Sequence, residues 1–299
     1  MIYIVAKNQL HCGRISMMEQ DIGAFLKYLA GEKGYSPNTL AAYRSDLTQM
    51  AAFVASEETK GITKSYDELL MSYLLDLREK RYAAATAARK IASVKSFFKF
   101  MLNSGRLKEN PTRNLVSPQV NRHSPQFLSP SEYQALLAEP AKLTTPEARR
   151  DVMMLELLYA VGLRISELVA LNIGDVDLGK SHISCVHGNS VRQVPFDHRI
   201  GQLLKKFLRS DRLDLLYDER EKALFLNRRG ARLTRQGIWQ IIKGYASKAG
   251  LGSKVTPYIL RHSFAKQKLQ TGIDLRDLQQ LLGHTYISST KVYRQSTLR

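Results

Sequence analysis

Three short segments in the second half of the sequence combine residue types that handle phosphate. They are Gly162-Leu163-Arg164-Ile165-Ser166-Glu167-Leu168, Tyr258-Ile259-Leu260-Arg261-His262 and Leu282-Gly283-His284, and Tyr293 follows nine residues after His284. A guanidinium is permanently charged and presents a planar fork to phosphate oxygens. Two of them, Arg164 and Arg261, can neutralise the charge that builds on a phosphorane when a phosphodiester is cut. Electrostatic stabilisation of this kind is usually the largest catalytic contribution. A phenol with a pKa of about 10 is a poor nucleophile at neutral pH and needs positive charge or a base beside it. Taken singly, each residue has a commoner use. An arginine usually makes a surface ion pair, a histidine is usually structural, and most of the 14 tyrosines belong to a core or its edge.

As an ordered set, the G-L-R-x-S-E-L, R-H and L-L-G-H motifs and the tyrosine after them resemble the tyrosine recombinase (phage integrase) family. The resemblance is to its Xer-like site-specific recombinases in particular, and it covers nearly the whole chain from about residue 18. It implies a mainly α fold with a small antiparallel β-sheet, in which a helical, SAM-like core-binding domain precedes an α+β catalytic domain. It also implies that Tyr293 attacks DNA to form a covalent 3′-phosphotyrosyl intermediate. Arg164 and Arg261 would clamp the phosphate, and His284 would hydrogen-bond it and orient the nucleophile. The bond energy is kept, so rejoining would need no metal, ATP or other cofactor. Glu167 is expected to hold Arg164 by charge, the alternative being an ordinary helix-surface carboxylate. The implied partner is double-stranded DNA with paired recombination half-sites, bound by a homo- or hetero-tetramer of a chain that is monomeric in solution. Two rivals share the fold: a catalytically impaired DNA-binding accessory protein and a type IB topoisomerase-like relaxer.

The sequence departs from the family at three places. Tyr258 stands where a histidine is common, three residues before the second arginine. Tyr258 can still donate a hydrogen bond to phosphate but cannot become a cation, so it is kept as an active-site residue with a weaker role. Aligning Arg192-Gln193-Val194-Pro195 with the family's R-x-V-P stretch puts His187 where the hairpin lysine is expected. Beside phosphates a histidine should have a raised pKa and could protonate the 5′-oxygen leaving group; the plainer reading is a strand residue in an impaired enzyme. Only Arg294 to Arg299 follow Tyr293, which leaves open the terminal-helix contact that Xer-type proteins usually make with a neighbour.

The elements that must position these residues can be read from periodicity and charge. Lys and Arg number 45 against 27 Asp and Glu, and the resulting formal charge of +18 attracts polyanions. Charge alone favours nucleic acid over membrane without separating DNA from RNA. Two cysteines, Cys12 and Cys185, make neither a disulfide framework nor a metal cluster and suit a reducing cytoplasm, so a cytoplasmic, nucleoid-associated location is expected. No apolar run approaches the ~20 residues that span a bilayer. Residues 1–17 read as a loose extension, since Ile2 to Ala6 is a weak match to a signal peptide.

Residues 18–105 read as four helices of a DNA-binding domain, with apolar stripes such as Leu69, Leu70, Tyr73, Leu74 and Leu77. Ser36-Pro37 marks one helix start and Gly105 a stop. Away from the stripe of the fourth helix, Arg89, Lys90 and Ser93 form a polar face suited to lying on DNA, or simply to solvent. Residues 106–127 read as an extended, basic linker containing Pro111, Pro118 and Pro125. Residues 128–299 form the second domain. In it His182 to His187 and Val191 to Phe196 flank a turn and predict a hairpin. Helices are predicted near 198–216 and 235–249, then at Pro257 to Gln270, Asp274 to Leu282 and Ser288 to Tyr293. A basic turn with Arg228, Arg229, Arg232 and Arg235 leads into the helix carrying Trp239 and Lys243, which suits further DNA contacts.

Overall fold

A computed structural model describes residues 18–60, 65–120, 126–187 and 190–295. The extension expected at 1–17 lies outside them. The chain divides into two compact units between Arg122 and His123.

The first unit is helical: α1 (residues 18–31), α2 (Pro37–Thr59), α3 (Tyr66–Glu79) and α4 (Ala84–Asn103). The backbone amide of Thr39 donates to Ser36 Oγ at 3.2 Å, so α2 starts at the Ser-Pro pair. Ser65 and Glu68 satisfy each other's backbone amides in a capping box at the start of α3. The predicted stripes meet in one core. Phe25, Leu47, Met50, Tyr73, Leu77, Ile91, Val94 and Phe97 are almost wholly buried, and the Phe25 ring meets Phe97 edge-on at 5.7 Å. At the start of the stretch read as a linker, Leu107 packs on this core and Leu115 is buried in it.

The polar face of α4 corrects the expectation. Lys90 and Ser93 turn inward and are buried, so neither presents itself to DNA. Ser93 Oγ donates to Asp46 Oδ2 at 2.9 Å, and Lys90 Nζ donates to Asp46 Oδ1 at 3.2 Å. Asp46 is fully buried, and a buried carboxylate needs paired charge and hydrogen bonds. Arg89 closes the group with an ion pair to the same carboxylate while its side chain stays half exposed. Of the three α4 residues expected on DNA, Arg89 alone keeps an outward face.

The second unit starts at α5 (Pro130–Ala141), entered through a Ser129–Glu132 capping box. Next come α6 (Pro146–Glu156), which widens into a π-type turn over Leu157–Val161, and α7 (Ile165–Ala170). Three antiparallel strands follow in the order β1 (Val176–Asp177), β2 (His182–His187) and β3 (Ser190–Pro195). The register pairs Val176 with Ile183, Ile183 with Val194 and Cys185 with Arg192. Two residues are too few to show strand alternation, so β1 escapes a reading by periodicity. The unit ends with α8 (His198–Lys206), α9 (Arg235–Lys248), α10 (Pro257–Gln270), α11 (Leu275–Leu282) and α12 (Ser288–Gln295). Leu136, Leu158, Leu163, Leu168, Ile183, Val194, Ile238, Ile242 and Leu260 form the main core. A smaller cluster joins Phe264 and Ala265 of α10, Leu278 and Leu282 of α11, and Tyr293 of α12.

Asp46→Ala would strand the Lys90 ammonium inside the first unit. Loss of one partner from a buried pair costs about 3–5 kcal/mol, and urea unfolding of the full chain should show a loss of that order. Asp46→Leu combined with Lys90→Met removes both charges and should recover most of it. Equal stability of Asp46→Ala and the parent would contradict this account.

Candidate active site

Two left-handed glycines shape the backbone around the clustered side chains. Gly162 (φ +69°) ends the π-type turn, and a Cβ there would meet the Phe264 ring at 2.2 Å. The chain can therefore turn tightly against α10 and deliver Arg164 at the start of α7. Gly283 (φ +62°) caps α11, and a Cβ there would lie 2.7 Å from Arg192 Cδ. Only glycine meets both demands at each position.

Glu167 sits at the centre and is almost fully buried. Its carboxylate accepts from the Arg164 backbone amide at 2.7 Å and from Arg164 NH1 at 2.7 Å. Arg192 donates to it through NH2 at 2.7 Å and Nε at 3.3 Å. Arg261 NH1 lies 3.8 Å from Glu167 Oε2. Burial alone would push the Glu167 carboxyl up. The hydrogen bond and charge of Arg192, with the amide and charge of Arg164, outweigh it and hold the group below the usual glutamate range. Glu167 is thus no surface carboxylate: it holds Arg164 and two further arginines as well.

The same guanidiniums reach the last carbonyls of α11. Arg164 donates to Gly283 O, Arg192 to Leu281 O, and Arg261 to Leu282 O and, at 2.6 Å, to Gly162 O. A helix C-terminus carries unsatisfied carbonyls and partial negative charge, so it gathers cations. Three cations against one carboxylate leave the cluster strongly positive. Burial, then the charge of Arg164, pulls Arg261 down to about 10. It remains a cation at neutral pH.

His284 follows the α11 cap. Its Nε2 lies 3.4 Å from Arg261 NH2, and its Nδ1 lies 2.9 Å from Thr290 Oγ1. A guanidinium offers no acceptor, so Nε2 must accept and Nδ1 carries the proton. Burial and then Arg261 pull His284 down to about 4, which makes it neutral. Tyr293 is buried in the α10–α12 cluster, with its ring nearly parallel to that of His284 at 6.4 Å. Burial and the neighbouring Tyr258 push its phenol up, while Arg261 and Arg164 pull it back.

The structure thus brings Arg164 and Arg261 together on Glu167, with His284 beside Arg261 and Tyr293 beside His284. Tyr258 is exposed and meets the group through the ring of His262, edge-on at 3.7 Å. His187 ends β2, and its side chain lies outside the described residues. Arg192, which the sequence offers only as part of the R-x-V-P stretch, joins the cluster from β3; its signal is its place two residues before the buried Val194 on an alternating strand. Thr290, which holds His284, gave no signal. In the basic turn, Arg228, Arg229 and Arg235 are exposed. Lys243 lies 5.2 Å over the Trp239 ring. Arg232 corrects the expectation of DNA contact, because its guanidinium bonds the carbonyls of Val169 at 2.7 Å and Leu171 at 3.0 Å, together with the Asn172 side chain. Those loop carbonyls need donors, and Arg232 supplies them.

Comparison with known proteins gives a consistent picture. Residues 126–299 match the Phage integrase family, and residues 22–105 match the Phage integrase, N-terminal SAM-like domain. A protein named Tyrosine recombinase XerC, from Roseiflexus sp. (strain RS-1), is 46% identical over 279 residues, spanning 92% of this chain and 89% of its own. Tyrosine recombinase XerD of Oceanobacillus iheyensis is 38% identical over 287 residues, spanning 94% and 95%. The fold is shared with the Tn1549 transposon integrase solved in complex with transposon right end DNA: TM-score 0.70, 18% identity, 91% of this chain and 94% of that one.

The lowered Glu167 carboxyl has a consequence in acid. Its folded value lies below the ordinary 4.5, so its contribution to stability is complete above that pH and is lost as pH falls through the folded value. In Glu167→Gln that acid-dependent component should vanish, and thermal unfolding measured from pH 6 down to pH 3 checks it. An unchanged pH slope in the variant would refute the placement of Glu167 as the ionised hub.

Proposed function

The chain belongs to the phage integrase family and is a site-specific tyrosine recombinase that breaks and rejoins DNA; from that premise we propose that Tyr293 is its nucleophile, Arg164 and Arg261 its phosphate clamp, and His284 the residue that orients the nucleophile. The observation that carries this is the convergence of the three arginines on Glu167 and the α11 carbonyls, within one cluster that also holds His284 and Tyr293. The recombinase reading is favoured over an impaired accessory protein or a topoisomerase-like relaxer.

A scissile phosphate enters beside Arg164 and Arg261, whose forks bind its non-bridging oxygens. As the Tyr293 oxygen bonds to phosphorus, negative charge grows on those oxygens and the two cations stabilise it. Glu167 keeps the forks aimed, so little reorganisation is needed at that moment. The 5′-oxygen leaves, and the DNA end stays on Tyr293 as a 3′-phosphotyrosine. Rejoining reverses the step and keeps the bond energy, so it consumes no ATP. Arg192 joins the clamp as a positioning residue through Glu167.

We assign the leaving-group proton to His187. Position 187 has the strand parity of Ile183 and Cys185, both buried on the Arg192 side of the sheet. The first unit, residues 18–105, serves as the core-binding domain and 128–299 as the catalytic domain. Arg89 and the exposed Arg228, Arg229 and Arg235 contact the DNA backbone. The enzyme works as a tetramer on paired half-sites, in the cytoplasm at the nucleoid. Among the described residues, no helix is long and apolar enough to cross a membrane.

A nicked suicide duplex should trap a covalent protein–DNA adduct with the parent chain and none with Tyr293→Phe. Retained specific binding without an adduct in the parent would instead favour the accessory protein. A bridging 5′-thio substrate needs no general acid. His187→Ala should therefore cut normal DNA roughly 10²–10⁴-fold more slowly and the 5′-thio substrate at the parent's rate. Equal rates on normal DNA would remove His187 from the mechanism.

A further inference from the structure

Cleavage by Tyr293 releases a phenolic proton that a base must take up. The phenol is buried and shifted upward, so it is protonated at neutral pH, and attack requires something to take that proton. His284 is poorly placed for the task. Its Nε2 faces Arg261 and its Nδ1 bonds Thr290, so both nitrogens are in use.

His262 is placed differently. It follows Arg261 on α10 and is 3% exposed, yet neither ring nitrogen has a hydrogen-bond partner among the described residues. Buried polar groups are almost always paired, so an orphaned imidazole calls for an explanation. Its ring meets the Tyr293 ring at 4.9 Å and 62°, nearer than that of His284 at 6.4 Å. On its other side the ring of Tyr258, one helical turn earlier, closes over it at 3.7 Å and 83°. Tyr258 is itself 68% exposed, so it stands between the imidazole and water.

We propose that His262 is a further catalytic residue of this chain, the base that accepts the phenolic proton of Tyr293 during attack. The inference rests on Tyr293 being the nucleophile. As the Tyr293 oxygen bonds to phosphorus, its O–H bond breaks and the proton passes to the lone pair of a His262 ring nitrogen. The bond from phosphorus to the 5′-oxygen breaks, and that oxygen takes its proton from the acid assigned to position 187. In rejoining, His262 returns the proton to the departing phenol.

The groups facing His262 are Arg261 and Tyr258 on α10, Tyr293 on α12 and His284 on the turn after α11. Burial first, and then Arg261, lowers His262 to about 4, which keeps its lone pair free at neutral pH. A phosphate held by Arg261 offsets that cation and raises the basicity of the imidazole when the proton must move. Tyr258 then has a use other than phosphate contact: it shields the base.

The test is single-turnover cleavage of a nicked suicide duplex at saturating DNA, followed from pH 6 to pH 10. His262→Phe keeps an aromatic ring in the apolar site, and His262→Gln serves as a second variant. Each should cut about 10²–10⁴-fold more slowly than the parent near neutral pH, and the deficit should shrink as pH rises and the phenol ionises unaided. A fluorinated, more acidic tyrosine in place of Tyr293 should restore much of the rate in His262→Phe and change the parent little. Parent-like rates and profile in both variants would overturn the proposal. So would a deficit that neither high pH nor the acidic tyrosine relieves, since a merely structural role predicts that result. Tyr293→Phe separates the two readings. An adduct formed by Tyr293→Phe refutes the nucleophile, whereas its absence beside an unaffected His262→Phe refutes the base alone.

Discussion

Three guanidiniums, those of Arg164, Arg192 and Arg261, are held on one buried carboxylate, and the catalytic unit is arranged to make that possible. Two like charges about 4 Å apart repel by roughly 4 kcal/mol at an effective dielectric of ~20. Without Glu167 the three cations would not stay together in a half-buried site. The carboxylate comes from α7, and the arginines come from the start of α7, from β3 and from α10. One acid therefore fixes the relative placement of two helices and the sheet. Its compensation is incomplete, so the cluster keeps a net positive charge.

The end of α11 supplies what Glu167 cannot. Its last carbonyls accept from all three arginines. Each guanidinium is thus held at two points, by the carboxylate and by the helix end. Gly283 makes this approach possible, because any side chain would displace Arg192. The segment whose carbonyls receive the arginines leads directly into His284 and then α12, so that helix end, His284 and Tyr293 share one short stretch of backbone.

Much of this was legible in the sequence, because residues carrying phosphate chemistry sit in compact motifs and helices announce themselves by period. Arg164, Arg261, His284 and Tyr293 were all readable that way. Burial of charge was not. Lys90 reads as a surface lysine until Asp46, 44 residues earlier, is seen beside it. Arg232 reads as one more cation in a basic turn until the carbonyls of Val169 and Leu171 are found within its reach. In both cases the deciding partner is remote in sequence and leaves no local periodic trace. The carboxylate that Arg192 meets likewise lies 25 residues earlier, whereas Thr290 is only six residues from His284 and carries a residue type too common to mark it. His262 was visible in the R-H pair, but its orphaned nitrogens exist only in three dimensions.

The long spans that close the site bear on timing. Arg164 reaches Gly283 across 119 residues, Arg261 reaches Gly162 across 99, and Arg192 reaches Leu281 across 89. A chain emerging from the ribosome therefore has neither the helix end that receives its arginines nor Tyr293 until residues 281–293 have been made. The helices of the first unit, whose contacts are complete far earlier, can fold first. All three arginines are thus made before the carbonyls of Leu281, Leu282 and Gly283 that fix them, so the last turn of α11 is the latch that closes the second unit.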